Sequence, residues 1–147
     1  MKISTKGRYA LRVMIDLANN EEGDFIPLKV IAQRQDISIK YLEIIVGMLC
    51  KAGFVISSRG KGGGYKLSRP PEEYSVGSIL KITEGSIAPV DCISYGKSVC
   101  GRAEHCPTFP LWEGLNKVID DYLESITIKD LMLNSQKISE LAERGNN

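Results

Sequence analysis

Residues 37–67 read ISIKYLEIIVGMLCKAGFVISSRGKGGGYKL, a helix, a glycine stop and two short strands around a basic glycine-rich tip. Ser38 is a natural N-cap, since its hydroxyl can accept from a free backbone N–H in the first turn of a helix. Ile37 before it and Leu42 at the fourth helical position fit a hydrophobic staple. Apolar residues then recur at Ile39, Leu42, Ile45, Val46 and Leu49, so one face packs inward, and Gly53 supplies a left-handed stop. The outward face near the start carries Lys40, Tyr41 and Glu43. Phe54–Ile56 and Tyr65–Leu67 follow as short strands around a glycine-rich tip bearing Arg59 and Lys61. A capped helix followed by a basic hairpin is the pattern of a recognition helix and its wing, and it points to double-stranded DNA.

Other readings of the glycine run fail on spacing. A phosphate-binding P-loop needs G-x-x-x-x-G-K-[ST], which is absent, and Tyr65 stands where the dinucleotide fingerprint wants its third glycine. A plain flexible hairpin stays open as the bland alternative. Arg59 and Lys61 weigh against it, because glycines let a backbone approach DNA while an arginine enters the minor groove.

Upstream, Ser4 or Thr5 can cap a first helix with Tyr9, Ala10, Val13, Met14 and Leu17 as its stripe, ending near Asn19-Asn20. Lys6 and Arg8 in its first turn suit either phosphate contacts or a solvated face. Glu21-Glu22-Gly23-Asp24 is a turn, Pro27 opens a short second helix, and Gln35-Asp36-Ile37 turns into the recognition helix. Short helix, turn and capped helix are the grammar of a helix-turn-helix. Downstream, Pro70-Pro71 closes the wing, and Ser75 or Val76 begins a helix that ends at Gly85.

The fold class expected is mainly α with a small β wing: a winged helix-turn-helix over residues 1–85, a cysteine-bearing loop over 86–107, a dimerisation helix with a short last helix over 108–134, and a tail over 135–147. The dimerisation helix is read from Trp112, Leu115, Ile119, Tyr122 and Ile126, flanked by Leu111, Val118 and Leu123. That apolar arc is wider than a chain of 147 residues easily covers alone, and a helix-turn-helix reader usually needs two half-sites. A homodimer on a palindromic operator follows. Thr127 is placed to cap the short helix Ile128 to Leu133.

The net charge of +1 conceals a division. Residues 1–70 hold 12 Lys and Arg against 6 Asp and Glu, while residues 71–147 hold 7 against 12. A basic half joined to an acidic one suits a nucleic-acid reader with a dimerising or sensing part. Arg8, Arg12 and Asp16 interrupt any signal peptide, and no apolar run suits a membrane span, so the protein is expected in the cytoplasm. In that compartment the four cysteines are free or metal-bound, not paired in disulfides. Cys50, on the recognition helix, reads as a small core residue.

Cys92, Cys100 and Cys106 follow C-x7-C-x5-C in a segment without period. Three thiols there could converge on an iron–sulfur cluster or a soft metal, could form a Cys3His zinc site, or could be idle. His105 is the only histidine and adjoins Cys106, so it is the best single candidate for a fourth ligand. Glu104 or a residue of a second subunit are the alternatives. A thiol enzyme is disfavoured, because no C-x-x-C motif and no base network accompany these cysteines.

Lys6-Gly7-Arg8-Tyr9-Ala10, Ser38-Ile39-x-Tyr41-Leu42-Glu43, Arg59-Gly60-x-Gly62-Gly63-Gly64-Tyr65 and Leu111-Trp112 together resemble the Rrf-two family of bacterial winged helix-turn-helix repressors. The resemblance spans nearly the whole chain. It is nearest to the branch that regulates iron–sulfur cluster biogenesis, with the branch that represses cysteine metabolism second. It implies a transcription regulator and not an enzyme, a homodimer crossed by the long helix, and DNA contacts at Ser38, Tyr41, Glu43 and Arg59. It also implies a two-iron, two-sulfur (2Fe-2S) cluster on Cys92, Cys100 and Cys106. The chain departs from that branch in two places. The histidine expected three residues after the third cysteine is Phe109, and the first gap between cysteines is longer. The acidic ligand of the nitric-oxide-sensing branch is replaced by Arg8. The second branch implies a cluster-free regulator governed by a protein partner.

Overall fold

The computed structural model describes residues 2–20 and 23–145, so Glu21 and Glu22 of the expected turn and Asn146-Asn147 of the tail lie outside the described residues. Helices α1 (Thr5–Ala18), α2 (Leu28–Gln35) and α3 (Ile39–Lys51) come first. Strands β1 (Val55–Ser58) and β2 (Gly64–Leu67) form an antiparallel hairpin, then α4 (Val76–Glu84) follows a one-turn 3-10 helix over Pro71–Glu73. The chain ends in α6 (Phe109–Ser125) and α7 (Ile128–Gly145), with a single-turn α5 (Asp91–Ser94) between α4 and α6. Mainly helical with one small hairpin is the architecture the sequence predicts.

Local chemistry explains most boundaries. Ser4, not Thr5, caps α1, its hydroxyl accepting from the Gly7 N–H at 3.2 Å. Ser38 caps α3 in the same way from Tyr41 N–H at 3.2 Å, and Ser75 caps α4 from Ser78 N–H at 3.0 Å. Asp36 closes α2 with φ 52°, a left-handed conformation that a short polar residue tolerates, and this is the turn of the helix-turn-helix. Thr127 and Asp130 form a reciprocal capping box for α7: the Thr127 N–H donates to the Asp130 carboxylate at 2.9 Å and the Asp130 N–H to the Thr127 hydroxyl at 3.1 Å.

The main core joins α1, α2, α3 and β1 through Ala10, Val13, Met14, Ile31, Leu42, Ile45 and Leu49, with Tyr74, Ile79 and Ile128 closing it. Ile37 and Leu42, the staple pair, are both buried there. Each such aliphatic side chain contributes about 1.5–3 kcal/mol when taken fully out of water. A second, smaller cluster packs Val76, Leu80 and Ile87 against Ile119, Leu123 and Ile126, which seats α6 on α4.

Two sequence expectations change. The last helix does not stop at Leu133 but runs 18 residues, Ile128–Gly145, into the segment 135–147 expected as a tail. Nothing between Ile128 and Gly145 breaks a helix, and α7 lies along α1 and the Pro71–Glu73 turn. The segment before α6 is also not wholly irregular, since α5 and one-turn 3-10 helices at Lys97–Val99 and Ala103–His105 organise it.

Candidate nucleic-acid interface and cysteine loop

The expected DNA-facing residues lie on α3 and the hairpin. Lys40 and Glu43 are exposed on α3, and Arg59 and Lys61 are exposed at the hairpin tip. Ser38 is exposed too, with its hydroxyl oxygen engaged as the cap. Tyr41 is different: it is half-buried, with its ring edge-on to Tyr9 at 5.8 Å. The Arg12 guanidinium lies over Tyr9 at 5.0 Å and its Nε donates to the Gln35 side chain at 3.2 Å. Gln35 in turn donates to the buried Asp16 carboxylate at 2.7 Å, and Arg34 stands 3.3 Å from that carboxylate's other oxygen. The entry to the recognition helix is therefore braced from α1 by an aromatic pair and a polar relay.

The hairpin is held from below. Ile26 and Tyr65 exchange two backbone hydrogen bonds of 2.8 Å, adding a third edge to the two strands. Gly64 makes this possible: at φ +149°, a Cβ there would overlap the Ile26 carbonyl and sit 2.7 Å from Pro27 N. Gly60 and Gly62 turn the tip with φ +84° and +75°, and a Cβ on Gly63 would overlap the Ser58 carbonyl. Turn geometry and close backbone packing thus account for the glycine run. Fully buried Tyr74 pins the base, its hydroxyl donating to the Phe54 carbonyl at 2.8 Å and accepting from Arg69 N–H at 2.9 Å.

The cysteine loop is a surface segment. Cys92 sits half-buried on α5, Cys100 is exposed after the Lys97–Val99 turn, and Cys106 is half-buried after the Ala103–His105 turn. His105 is exposed, and with Cys100 and Glu104 it lines one shallow cleft, whereas Cys92 lines another beside Phe109 and Glu113. Among the described residues, no three His, Cys, Asp or Glu side chains stand close enough to share one metal ion. The Cys106 sulfur lies 3.2 Å from the Thr108 hydroxyl, and hydrogen bonds from that side chain and its backbone hold the thiol below its ordinary pKa. Phe109, at the position where the resembled branch has histidine, is buried as the first residue of α6, with the Lys97 ammonium 4.8 Å from its ring. Cys50 packs against the main core, and burial raises its thiol pKa, as befits a small core residue.

One connection had no signal in the sequence. Glu124 on α6 accepts from the Ser75 hydroxyl at 2.5 Å and from Lys81 Nζ at 2.9 Å, and Lys81 also pairs with Asp120 at 3.1 Å. Gly77 leaves room for it, since a Cβ there would lie 2.6 Å from the Glu124 carboxylate. These contacts join the helix that follows the cysteine loop to the cap of α4, and the partners are more than 40 residues apart in sequence. No helix among the described residues is long and apolar enough to cross a membrane.

Comparison with known proteins shows the family. The chain is 38% identical over 147 residues to the HTH-type transcriptional regulator IscR of Yersinia enterocolitica, covering all of this chain and 88% of that one. Among solved structures, CymR, the global cysteine regulator of B. subtilis, superposes with a TM-score of 0.74 at 37% identity, covering 91% of this chain and 98% of that chain. T. potens IscR does so with 0.71 at 38% identity, covering 94% and 90%. The Rrf2 family model, described as an iron-dependent transcriptional regulator, matches residues 3–134. With a capped reading helix, a basic wing and these relatives, the chain belongs to the Rrf2 (Rrf-two) family of helix-turn-helix transcriptional regulators, and it is a regulator and not an enzyme.

Proposed function

We propose that this regulator is a homodimeric repressor whose affinity for a palindromic operator answers to a 2Fe-2S cluster on Cys92, Cys100 and Cys106, and that it controls iron–sulfur cluster biogenesis genes. The observation that carries the reading is the placement of three thiols on a surface loop that runs straight into α6. The donor set suits the group: three soft thiols and one imidazole, Cys92 and His105 on one-turn helices and Cys100 and Cys106 directly after such turns. The loop must close to bring the thiols together, since they do not share one site in the described fold. Bound, the group would supply a state that depends on oxidant and on iron supply. The chain's own residues do the rest. Thr108 holds the Cys106 thiol below its ordinary pKa, and α6 is tied through Glu124 to Lys81 on α4 and to Ser75 at its cap, a route by which a shift of the loop would reach that helix. Helix α4 packs on α1 and α3, where Ser38, Lys40, Tyr41 and Glu43 meet DNA.

Dimerisation is supported by how α6 divides its apolar residues. Ile119, Leu123 and Ile126 face the second core cluster, while Leu111, Val118 and Tyr122 stay 60–65% exposed. The fourth ligand is assigned to His105, because Phe109 is buried and cannot coordinate.

The test is anaerobic purification with a visible spectrum and assay of iron and sulfide, together with operator binding of Arg59→Ala. Visible absorption lost in Cys100→Ala and altered in His105→Ala supports the reading. Arg59→Ala is expected to lose more affinity for the operator than for random DNA, and equal losses would make it an ordinary phosphate contact. A second reading has its own observation, the separation of the thiols together with the likeness to CymR. In it the protein carries no cluster and answers to a protein partner in cysteine metabolism. Colourless protein binding its operator with full affinity would favour it.

A further inference from the structure

We propose that Ile44 reads a thymine methyl group in the major groove, with Gly47 leaving the duplex room to close on the helix. This rests on the DNA-reading role proposed above. The 3.6-residue pitch of α3 sets Lys40, Ile44, Gly47 and Lys51 in one stripe, opposite the buried Leu42, Ile45, Val46 and Leu49. At the middle of that stripe Ile44 is 56% exposed and belongs to neither core cluster. The fold therefore gives no reason for an isoleucine at this position.

Gly47 is equally unexplained from within. Glycine inside a helix is about 1 kcal/mol worse than alanine. At Gly47 the backbone is not in the positive-φ region, and among the described residues nothing beyond the helix's own backbone lies within 4 Å of where a Cβ would stand. Neither conformation nor internal packing requires it. A residue that weakens its own helix without internal cause, next to an exposed isoleucine, indicates close approach from outside the chain.

The border of the stripe says what approaches. Lys40 and Lys51 lie at its two ends, and Arg59 and Lys61 stand exposed on the hairpin that follows. Cations around an apolar centre suit phosphates around base edges better than a hydrophobic protein surface. Of the groups a base pair presents in the major groove, only the thymine C5-methyl is apolar. Glu43, beside Ile44, would accept from a donor such as cytosine N4, so the two neighbours would read adjacent features of different chemistry.

The experiment selects duplexes from a random library with the full-length protein, then replaces each thymine of the selected site by deoxyuridine, which lacks only the methyl group. At constant salt, one thymine in each half-site is expected to show about a fourfold loss of affinity, the worth of one buried methyl. In Ile44→Ala the thymine and deoxyuridine duplexes should bind alike. Gly47→Ala should keep or raise the thermal midpoint while weakening operator binding, which a purely structural glycine would not do. Indifference of the unmodified protein to every deoxyuridine, with a sequence still selected, overturns the inference and leaves the DNA-binding reading intact. So does a methyl dependence that survives in Ile44→Ala. Failure to select any sequence overturns both.

Discussion

Replacing Gly64 with alanine tests how the wing is attached to the body. At φ +149° any Cβ is strained, at an order of 1–3 kcal/mol. It would also overlap the Ile26 carbonyl, so the segment must part from β2 and surrender both 2.8 Å hydrogen bonds between Ile26 and Tyr65. At about 1 kcal/mol each, these bring the expected loss to about 4 kcal/mol. Gly60→Ala supplies the control. Its φ of +84° is also unfavourable to a side chain, but among the described residues nothing beyond its chain neighbours lies within 4 Å of the added Cβ, so only about 1–2 kcal/mol should be lost. Urea unfolding of the two variants, with the denaturant slope checked for constancy, measures the difference. A gap of about 2–3 kcal/mol between them is expected from these terms. Equal losses would show that the contact with Ile26 adds nothing, and the account of the latch would be wrong.

Tyr74→Phe should cost about 1–2 kcal/mol in the same assay, because it strands the Arg69 N–H while the Phe54 carbonyl keeps its bond from Ser68 N–H at 3.2 Å; no loss would mean that solvent replaces the hydroxyl. Glu124 is held below its ordinary pKa of 4.5, first by the Ser75 hydroxyl and then by Lys81, so its stabilising effect is present above that value and is lost as pH falls through the lowered one. Lys81 is raised above 10.5, mainly by hydrogen bonds to Glu124 and Asp120, so its effect is full below 10.5 and is lost as pH rises through the raised value. The thermal midpoint should thus fall more steeply below pH 4.5 in the unmodified protein than in Glu124→Gln, and parallel curves would remove Glu124 from the α4–α6 joint. Val118, 65% exposed on α6, should tolerate glutamate in the fold but not in a dimer: sedimentation of Val118→Glu as a folded monomer is expected, and a persisting dimer would move the interface elsewhere.

The helix-turn-helix was legible residue by residue because its signals are local. A cap such as Ser38 acts on an N–H three residues away, Ile37 and Leu42 are buried together five positions apart, and Asp36 turns the chain through its own φ. The wing was legible as a hairpin for the same reason. Its glycines were not interpretable individually, since what Gly64 must avoid is the carbonyl of Ile26, 38 positions earlier. Periodicity likewise showed that α6 carries too much apolar surface, but only packing decided that Ile119 and Leu123 turn toward α4 while Leu111, Val118 and Tyr122 stay outside. The full length of α7 has no apolar signal in the sequence, because its half beyond Leu133 is mostly polar and exposed, although no breaker interrupts it before Gly145. Glu124, Ser75 and Lys81 carry no motif at all, for their meeting depends on two helices crossing at one angle. The capped helices, the turn and the hairpin could be read along the chain, because caps, turns and stripes are set by near neighbours. Which residues join those elements, and which apolar faces remain uncovered, depends on distances between remote segments, which are set only when the helices pack.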